Sequence, residues 1–374
     1  MGRRCLVLSL LPAALGALLA VQTGCAPGRA LPREGDVGGA RFEYEEPQMG
    51  LPFRIVLYAP DRTTADAAVR AAFDRIAQLN AVLSDYDSDS ELSRLSQTAG
   101  TGRSVPVSAE LWRVLSAAQS LARRSKGAFD VTVGPYVNLW RKARRDRQFP
   151  DPVWLESARP AVGHDKLQLD GRRRAVRLLA PGMRLDLGGI AKGFALDEAL
   201  RVLQTRGVRR ALVSGGGDMV AGEPPPGRAG WTVTLAPMDD TAAGPAPVVL
   251  LARAALATSG DTFQRLELDG KRYSHIVDPR TGIGLTRPSL VTVIARDGMT
   301  ADALATAVSV LGPKAGRRLV RAVKGAEVRF VYQADGGLEA EESSGFKKFY
   351  ERGTAPRVPV REARPRSAGG RFVP

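Results

Sequence analysis

The stretch MRLDLGGIAKGFALD, residues 183–197, contains a turn on which the interpretation of the whole chain depends. Met183–Leu187 is predicted as a short apolar strand, and a helix is predicted to begin at Ile190. The glycines between them, Gly188–Gly189, allow the main chain to approach a ligand closely. Free N–H groups at the helix start, with Lys192 in the first turn, suit a phosphate. The alternative is an ordinary strand-to-helix turn with a solvent-facing lysine.

Composition places the chain among globular proteins and gives little support to a nucleic-acid partner. The sequence has 374 residues, of which 44% are hydrophobic and 25% charged, and this length allows one large domain or two joined ones. The formal net charge is +15, but Arg3, Arg4 and the basic segment 345–374 leave only +7 for the body. We therefore predict no nucleic-acid binding.

The N-terminal residues 1–24 are predicted to be a lipoprotein-type signal peptide. An apolar run over 6–21, too short to span a membrane, follows two arginines and ends at Thr23-Gly24-Cys25, which resembles a bacterial lipobox. We expect export to the cell envelope, with Cys25 lipidated and anchored in the inner membrane facing the periplasm. Simple secretion is the alternative. Residues 25–48, rich in Gly, Pro and charge, are predicted to form a flexible tether.

Residues 49–342 are predicted to form the functional domain, followed by a basic tail without stable structure at 343–374. Asp61 is predicted to cap a helix over 62–83, and Ser108 a helix over 109–125. Because short strands and helices alternate irregularly, we expect an α+β fold.

Two further stretches suggest a ligand pocket. GAFDVTVGPYVNLW, residues 127–140, crowds aromatic residues among turn formers, so it lines a pocket for a planar ligand or forms a corner of the core. A basic run, 141–147, follows and is predicted to be solvated. In YSHIVDPRTG, residues 273–282, His275 is surrounded by hydroxyl, carboxylate and guanidinium groups, although a loop histidine bonded to the backbone is the alternative. Neither a Walker loop nor a GxGxxG turn between a strand and a helix is present.

Asp302 and Thr306 are four residues apart in a predicted helix. This spacing places both on one face, opposite the apolar stripe of that helix. A carboxylate and a hydroxyl are hard oxygen ligands that suit Mg²⁺. Substrate phosphates or backbone carbonyls would have to complete such a site.

These stretches together resemble the ApbE family of FAD:protein FMN transferases. The resemblance covers about residues 49–335 and includes LDLGGIAKGFALD, LVSGGGDM, ATSGD and ADALAT. It implies an α+β fold with two packed lobes around an FAD cleft. It also implies a bacterial envelope enzyme that cleaves FAD at its pyrophosphate, attaches FMN through a phosphoester to a threonine or serine of a redox partner protein, and releases AMP.

The resemblance also implies roles for individual residues. It implies a Mg²⁺ site formed by the carbonyl of Gly189 with Asp302 and Thr306, and a catalytic role for His275, assisted by Lys192. The expected FAD contacts are Met49, Tyr86, Ala128, Phe129, Asp130, Asp186, Lys192 and Ile276.

Two other functions remain open at this point. An FAD pyrophosphatase would use the same metal site and let water attack, yielding free FMN and AMP. A non-enzymatic flavin-binding lipoprotein is the second alternative, which the predicted metal pair disfavours because mere binding needs no Mg²⁺ on the pyrophosphate.

Overall fold

The computed structural model describes residues 39–238, 246–260, 265–335, 337–354 and 360–361. The predicted signal peptide, Cys25 and the predicted tether up to residue 38 lie outside these ranges. All the described residues belong to one compact unit. None of the described helices is long and apolar enough to cross a membrane.

The described residues contain seven α-helices and eighteen strands. The helices are α1 Arg62–Leu83, α2 Glu91–Ser96, α3 Ala109–Ser125, α4 Gly134–Asp146, α5 Pro152–Ala158, α6 Ala191–Thr205 and α7 Gly298–Arg321. The strands are β1 Ala40–Gln48, β2 Leu51–Ala59, β3 Val105–Pro106, β4 Leu167–Asp170, β5 Ala175–Leu178, β6 Ala211–Gly215, β7 Asp218–Ala221, β8 Trp231–Thr234, β9 Val248–Leu251, β10 Ala254–Gly260, β11 Arg265–Leu268, β12 Lys271–Ser274, β13 Val277–Asp278, β14 Ile283–Gly284, β15 Ser289–Ala295, β16 Glu327–Ala334, β17 Gly337–Glu342 and β18 Val360–Arg361.

One nine-stranded sheet forms the centre of the fold, in the order β1-β2-β6-β7-β10-β15-β16-β17-β18. Neighbouring strands are antiparallel except β17 and β18, which are parallel. Four smaller sheets of two or three strands accompany it. Sheet and helices are mixed without a regular alternation, so the predicted α+β class is confirmed, and the compact unit is not divided into separate domains.

Helix α6 packs against both α1 and α7, and all three helices pack against this sheet. Their buried faces share one large apolar core with the strands. The predicted helices 62–83 and 109–125 have the bounds of α1 and α3, with Asp61 and Ser108 accepting N-terminal backbone N–H groups. These ends are predictable because capping depends on neighbours in sequence.

The tether prediction is wrong for residues 40–48, which form strand β1. This strand pairs with β2 along its whole length. Phe42 and Tyr44 pack against the core, whereas Glu43 forms an ion pair with Arg41 on the other face. The apolar and charged residues therefore alternate as in an edge strand, which the overall content of charge had obscured.

The strand predicted at Met183–Leu187 is also absent. This segment is extended and makes one isolated bridge, between Arg184 and Val133, while Asp186 donates its N–H to the Val131 carbonyl. Its apolar side chains are buried in the core. The apolar pattern thus predicted the burial of these side chains correctly, but a strand also requires a partner along its length.

The tail prediction is wrong for the first residues after 342. A 3₁₀ turn, Phe346–Phe349, follows β17, and the Phe346 side chain is fully buried among residues of β8, β9 and β10. Tyr350 bridges to Val249 and accepts a partly buried hydrogen bond from Arg329. Aromatic residues therefore attach this basic segment to the domain.

Candidate functional site

A buried ion cluster joins the start of α6 to α7 and β7. Lys192 Nζ lies 3.2 Å from Asp218 Oδ2 and 3.2 Å from each carboxylate oxygen of Asp302. Lys192 also donates to the Gly188 carbonyl at 3.0 Å, and the Gly193 N–H donates to Asp302 at 3.1 Å. We call Lys192, Asp218 and Asp302 the Lys192 cluster. The Gly-Gly turn predicted to bind phosphate therefore lies beside it.

The Lys192 cluster contains two carboxylates for one ammonium group. Burial raises the pKa of Asp218 to about 7, against the opposing attraction of Lys192. Burial by itself would lower the pKa of Lys192, but the two carboxylates outweigh it and raise this pKa. Asp218 Oδ2 accepts no hydrogen bond of good geometry from the described residues. An excess of carboxylate oxygen, with one atom held only by its ion pair to Lys192, suits a further cation.

Asp302 does not face away from the core, as its position opposite the apolar stripe had predicted. Its side chain is buried, because α7 is covered both by the sheet and by α6. The close approach of α6 and α7 requires glycine at 193, where a Cβ would lie 2.1 Å from the Gly298 carbonyl oxygen. Thr306, one turn along, is partly exposed.

Gly189, Thr306 and Asp302 fit the oxygen ligands of a Mg²⁺ site. A Cβ on Gly189 would lie 2.8 Å from Thr306 Oγ1, so the Gly-Gly turn contacts the threonine directly. Ser259 Oγ lies 3.5 Å from the same hydroxyl. No group of three or more His, Cys, Asp or Glu able to hold a metal occurs among the described residues. Mg²⁺ at this place would therefore take hydroxyl, carbonyl and ligand oxygens in addition to carboxylate.

A second group of charges lies at the other end of the same turn. Arg141 on α4 donates to Asp85 and, at 3.0 Å, to Asp186. Its guanidinium carbon lies 4.0 Å from the centre of the Tyr86 ring. Asp186 also accepts the Gly188 N–H at 2.8 Å, which connects this group to the Gly-Gly turn.

The prediction that the run 141–147 is solvated is wrong for Arg141. Its side chain is 22% exposed, compared with 74% for Arg145 on the same helix. Burial raises the pKa of Asp186 to about 6, with repulsion from Asp85 adding to the effect and Arg141 opposing it. Arg141 thus balances two carboxylates that would otherwise repel each other.

The other predicted FAD contacts differ in their exposure to solvent. Tyr86 is 79% exposed, whereas the Phe129 side chain is 4% exposed and packed in the main core. Phe129, one of the expected FAD contacts, is therefore not available for stacking of a ligand ring in this structure. Ala128 and Asp130 beside it are buried, and burial raises the pKa of Asp130 although Thr132 donates two hydrogen bonds to it.

Met49 occupies the tight turn between β1 and β2 with a φ of 50°. Strand β2, which follows this turn, comes close to the Lys192 cluster. A Cβ placed on Gly216, in the turn between β6 and β7, would lie 2.7 Å from Leu51 of β2 and 3.6 Å from Lys192. Leu51, two residues after Met49, therefore lies near the cluster.

His275 and Ile276 form the bend between β12 and β13. His275 is half-buried and Ile276 is buried, with the Ile276 N–H bonded to Ser274 Oγ at 3.0 Å. The next turn is held against α4, since Trp140 donates to the Gly282 carbonyl at 2.8 Å. The stretches 127–140 and 273–282, separate in sequence, therefore pack together.

A model of the ApbE family matches residues 49–330. The chain belongs to the ApbE family. An FAD:protein FMN transferase of Haemophilus influenzae is 33% identical over 288 residues, covering 74% of this chain and 81% of that protein. One of Treponema pallidum is 33% identical over 325 residues, covering 83% and 87%. The structure of the flavin transferase ApbE from Vibrio cholerae superposes with a TM-score of 0.75 at 30% identity, covering 83% of this chain and all of that one.

The ApbE resemblance predicted from the motifs is thus confirmed, together with the fold. Within this ApbE-family chain, Lys192 bonds Asp302, and the Gly-Gly turn at Gly189 contacts Thr306. Sequence reasoning assigned no role to Asp218, although it stands at the end of the glycine turn SGGGD at the start of β7. A carboxylate directly after such a turn is the signal that could have identified it.

Proposed function

We propose that this chain is a Mg²⁺-dependent FAD:protein FMN transferase. It would attach the FMN part of FAD through a phosphoester to a threonine or serine of a redox partner protein, with AMP as the leaving group. The observation that carries this proposal is the Lys192 cluster, where buried carboxylates in excess of the ammonium charge lie beside Thr306 and the Gly-Gly turn. Membership of the ApbE family and the names of its relatives support the same reaction.

The residues of the site divide the chemistry among them. The acceptor hydroxyl oxygen attacks the FMN phosphorus, and the bond from this phosphorus to the bridging oxygen breaks, so that the oxygen leaves with AMP. Mg²⁺, when bound, would neutralise the negative charge of the pyrophosphate. Asp302, Thr306 and the Gly189 carbonyl would hold the ion, and Lys192 with the start of α6 would orient the same anion. His275 would accept the proton of the acceptor hydroxyl.

Quantification of all flavin and adenylate products tests this reaction. Purified protein is incubated with FAD and Mg²⁺, with and without an envelope extract of the source organism, and AMP, free FMN and protein-bound flavin are quantified by chromatography. We expect AMP release to require the extract and to match bound flavin. Equal amounts of AMP and free FMN without extract would indicate a pyrophosphatase, and FAD binding without any AMP would indicate a binding protein.

Tyr86 and Phe129 should respond differently to truncation. Tyr86→Ala should weaken FAD binding roughly several-fold, since aromatic stacking contributes on the order of 0.5–1.5 kcal/mol, and should leave thermal stability unchanged. Phe129→Ala should lower the free energy of unfolding by about 3–5 kcal/mol because it opens a cavity in the core. Calorimetric titration with FAD and thermal denaturation distinguish the two effects. Unchanged FAD affinity in Tyr86→Ala would place the flavin elsewhere.

We also infer that the enzyme works at the outer side of the inner membrane, attached through Cys25. The support is the Thr23-Gly24-Cys25 sequence at the end of an apolar run. Cys25→Ser should move the protein from the membrane fraction to the soluble fraction on cell fractionation, with an altered N-terminus by mass spectrometry. Membrane retention of Cys25→Ser with the wild-type N-terminus would contradict the anchor.

A further inference from the structure

Tyr86 presents one face of its ring to solvent and the other to Arg141. The residue lies in the loop between α1 and α2, where its N–H and that of Asp87 both donate to Ser84 Oγ at 3.2 Å. The loop backbone is therefore bonded in place. The guanidinium carbon of Arg141 lies 4.0 Å from the ring centre, which is within the range of a cation–π contact.

Arg141 is itself held by two carboxylates on different parts of the chain. Asp85 precedes Tyr86, and Asp186 precedes the Gly-Gly turn. The side chains of Asp85 and Asp186 are only 16% and 10% exposed. A planar guanidinium bonded to both has little freedom to turn, so the orientation of the Tyr86 ring is coupled to the turn next to Lys192.

We propose that Arg141 is a positioning residue for the flavin nucleotide, which closes one face of Tyr86 and fixes the ring so that a planar ring of FAD stacks on the opposite face. This inference rests on the proposed function, because it takes FAD as the ligand. Lysine at 141 would keep the charge but could not bond both carboxylates and cover the ring together. The role is therefore specific to arginine.

A double-mutant cycle for FAD binding tests the role of Arg141. The variants are Arg141→Met, Arg141→Lys, Tyr86→Leu and the Arg141→Met/Tyr86→Leu pair. Arg145→Met is the control, since Arg145 lies on the same helix and, within the described part of the chain, pairs with its neighbour Asp146. FAD affinity is measured by calorimetric titration, and the environment of the bound flavin by circular dichroism in its visible absorption bands.

We expect Arg141→Met to weaken FAD binding roughly two- to tenfold, which is the range of one aromatic stacking contact. Tyr86→Leu should have a similar effect, and the double variant should lose little more than either single variant. Arg141→Lys should lose more than half as much free energy of FAD binding as Arg141→Met. The flavin circular dichroism should change in Arg141→Met and stay as in the wild type for Arg145→Met. In transfer assays the KM for FAD should rise while kcat changes less than about twofold.

Several results would overturn the role of Arg141. These are wild-type FAD affinity in Arg141→Met, full recovery with lysine, or a double variant whose loss is the product of the two single losses. If Arg141→Met does not fold, the Tyr86→Leu and Arg141→Lys variants still decide, because wild-type affinity in either contradicts the proposal. Failure of the proposed function is a distinct outcome, in which the wild-type protein itself neither binds FAD nor releases AMP.

Discussion

Replacing Asp302 with asparagine is expected to lower the rate of FMN transfer by about a hundredfold or more. Asparagine keeps the size and polarity of the side chain but removes the charge that would hold Mg²⁺. Each 1.4 kcal/mol of lost transition-state stabilisation is about a tenfold change in rate, and loss of the cation should cost several kcal/mol. Thr306→Val removes one neutral ligand and should have a smaller effect.

The stability of Asp302→Asn separates the loss of metal from a loss of fold. Removing one partner of a buried ion pair usually costs about 3–5 kcal/mol because a charge is left unpaired. Here Lys192 keeps Asp218 as a partner, and the change also removes repulsion between the two carboxylates. We therefore expect a much smaller loss of thermal stability in the absence of metal.

The measurement for this prediction is a Mg²⁺ titration of FMN transfer with wild type, Asp302→Asn and Thr306→Val. Wild type should need Mg²⁺, and Asp302→Asn should stay slow even at high Mg²⁺ concentration. Full activity of Asp302→Asn at low Mg²⁺, or wild-type turnover in EDTA, would remove the metal from the mechanism.

His275→Gln is expected to reduce kcat by roughly 10²–10⁴-fold, which is the usual contribution of a general base. Glutamine can hydrogen bond to the acceptor hydroxyl but cannot take up its proton. FAD affinity should change little, because the proposed role concerns the acceptor. Steady-state rates of FMN transfer and calorimetric titration with FAD measure these two effects.

His164→Gln is the matched control, because His164 is the other histidine of the chain. It begins the 3₁₀ turn His164–Lys166, and its side chain lies against Gly127. This variant should transfer FMN at close to the wild-type rate. Equal losses in the two variants, or full activity of His275→Gln, would contradict the assignment of His275 as the base.

Features that depend on sequence neighbours were predictable from the sequence. The caps Asp61 and Ser108 fix the starts of α1 and α3, since each side chain bonds an N–H three residues later. Strand β1 was interpreted wrongly because its content of charge obscured the alternation of apolar and charged residues, although its partner β2 follows directly in the chain. The extended segment 183–187 was interpreted wrongly because a strand also requires a partner along its length.

In the candidate site, too, the residues within motifs were predictable and the contacts made by packing were not. The Gly-Gly turn, Lys192, Asp302 and Thr306 were recognised from motifs, but the burial of Asp302 follows from packing of α7 on two sides, which its own pattern does not reveal. Arg141 was interpreted as one of a solvated basic run. Its real surroundings, Asp85 and Asp186, come from segments 56 and 45 residues away. Neither contact could be predicted from residues adjacent to Arg141.

Mass spectrometry of the acceptor tests most directly whether the enzyme transfers FMN to another protein with the help of Mg²⁺. Envelope proteins of the source organism are incubated with the purified enzyme, FAD and Mg²⁺, and with EDTA in a parallel sample, and then digested. We predict a threonine- or serine-containing peptide whose mass increases by FMN less one water, formed with Mg²⁺, absent with EDTA, and formed at about a hundredth of the wild-type rate or less by Asp302→Asn. Release of AMP from FAD without any such peptide, or formation of the modified peptide in EDTA at the wild-type rate, would contradict the claim.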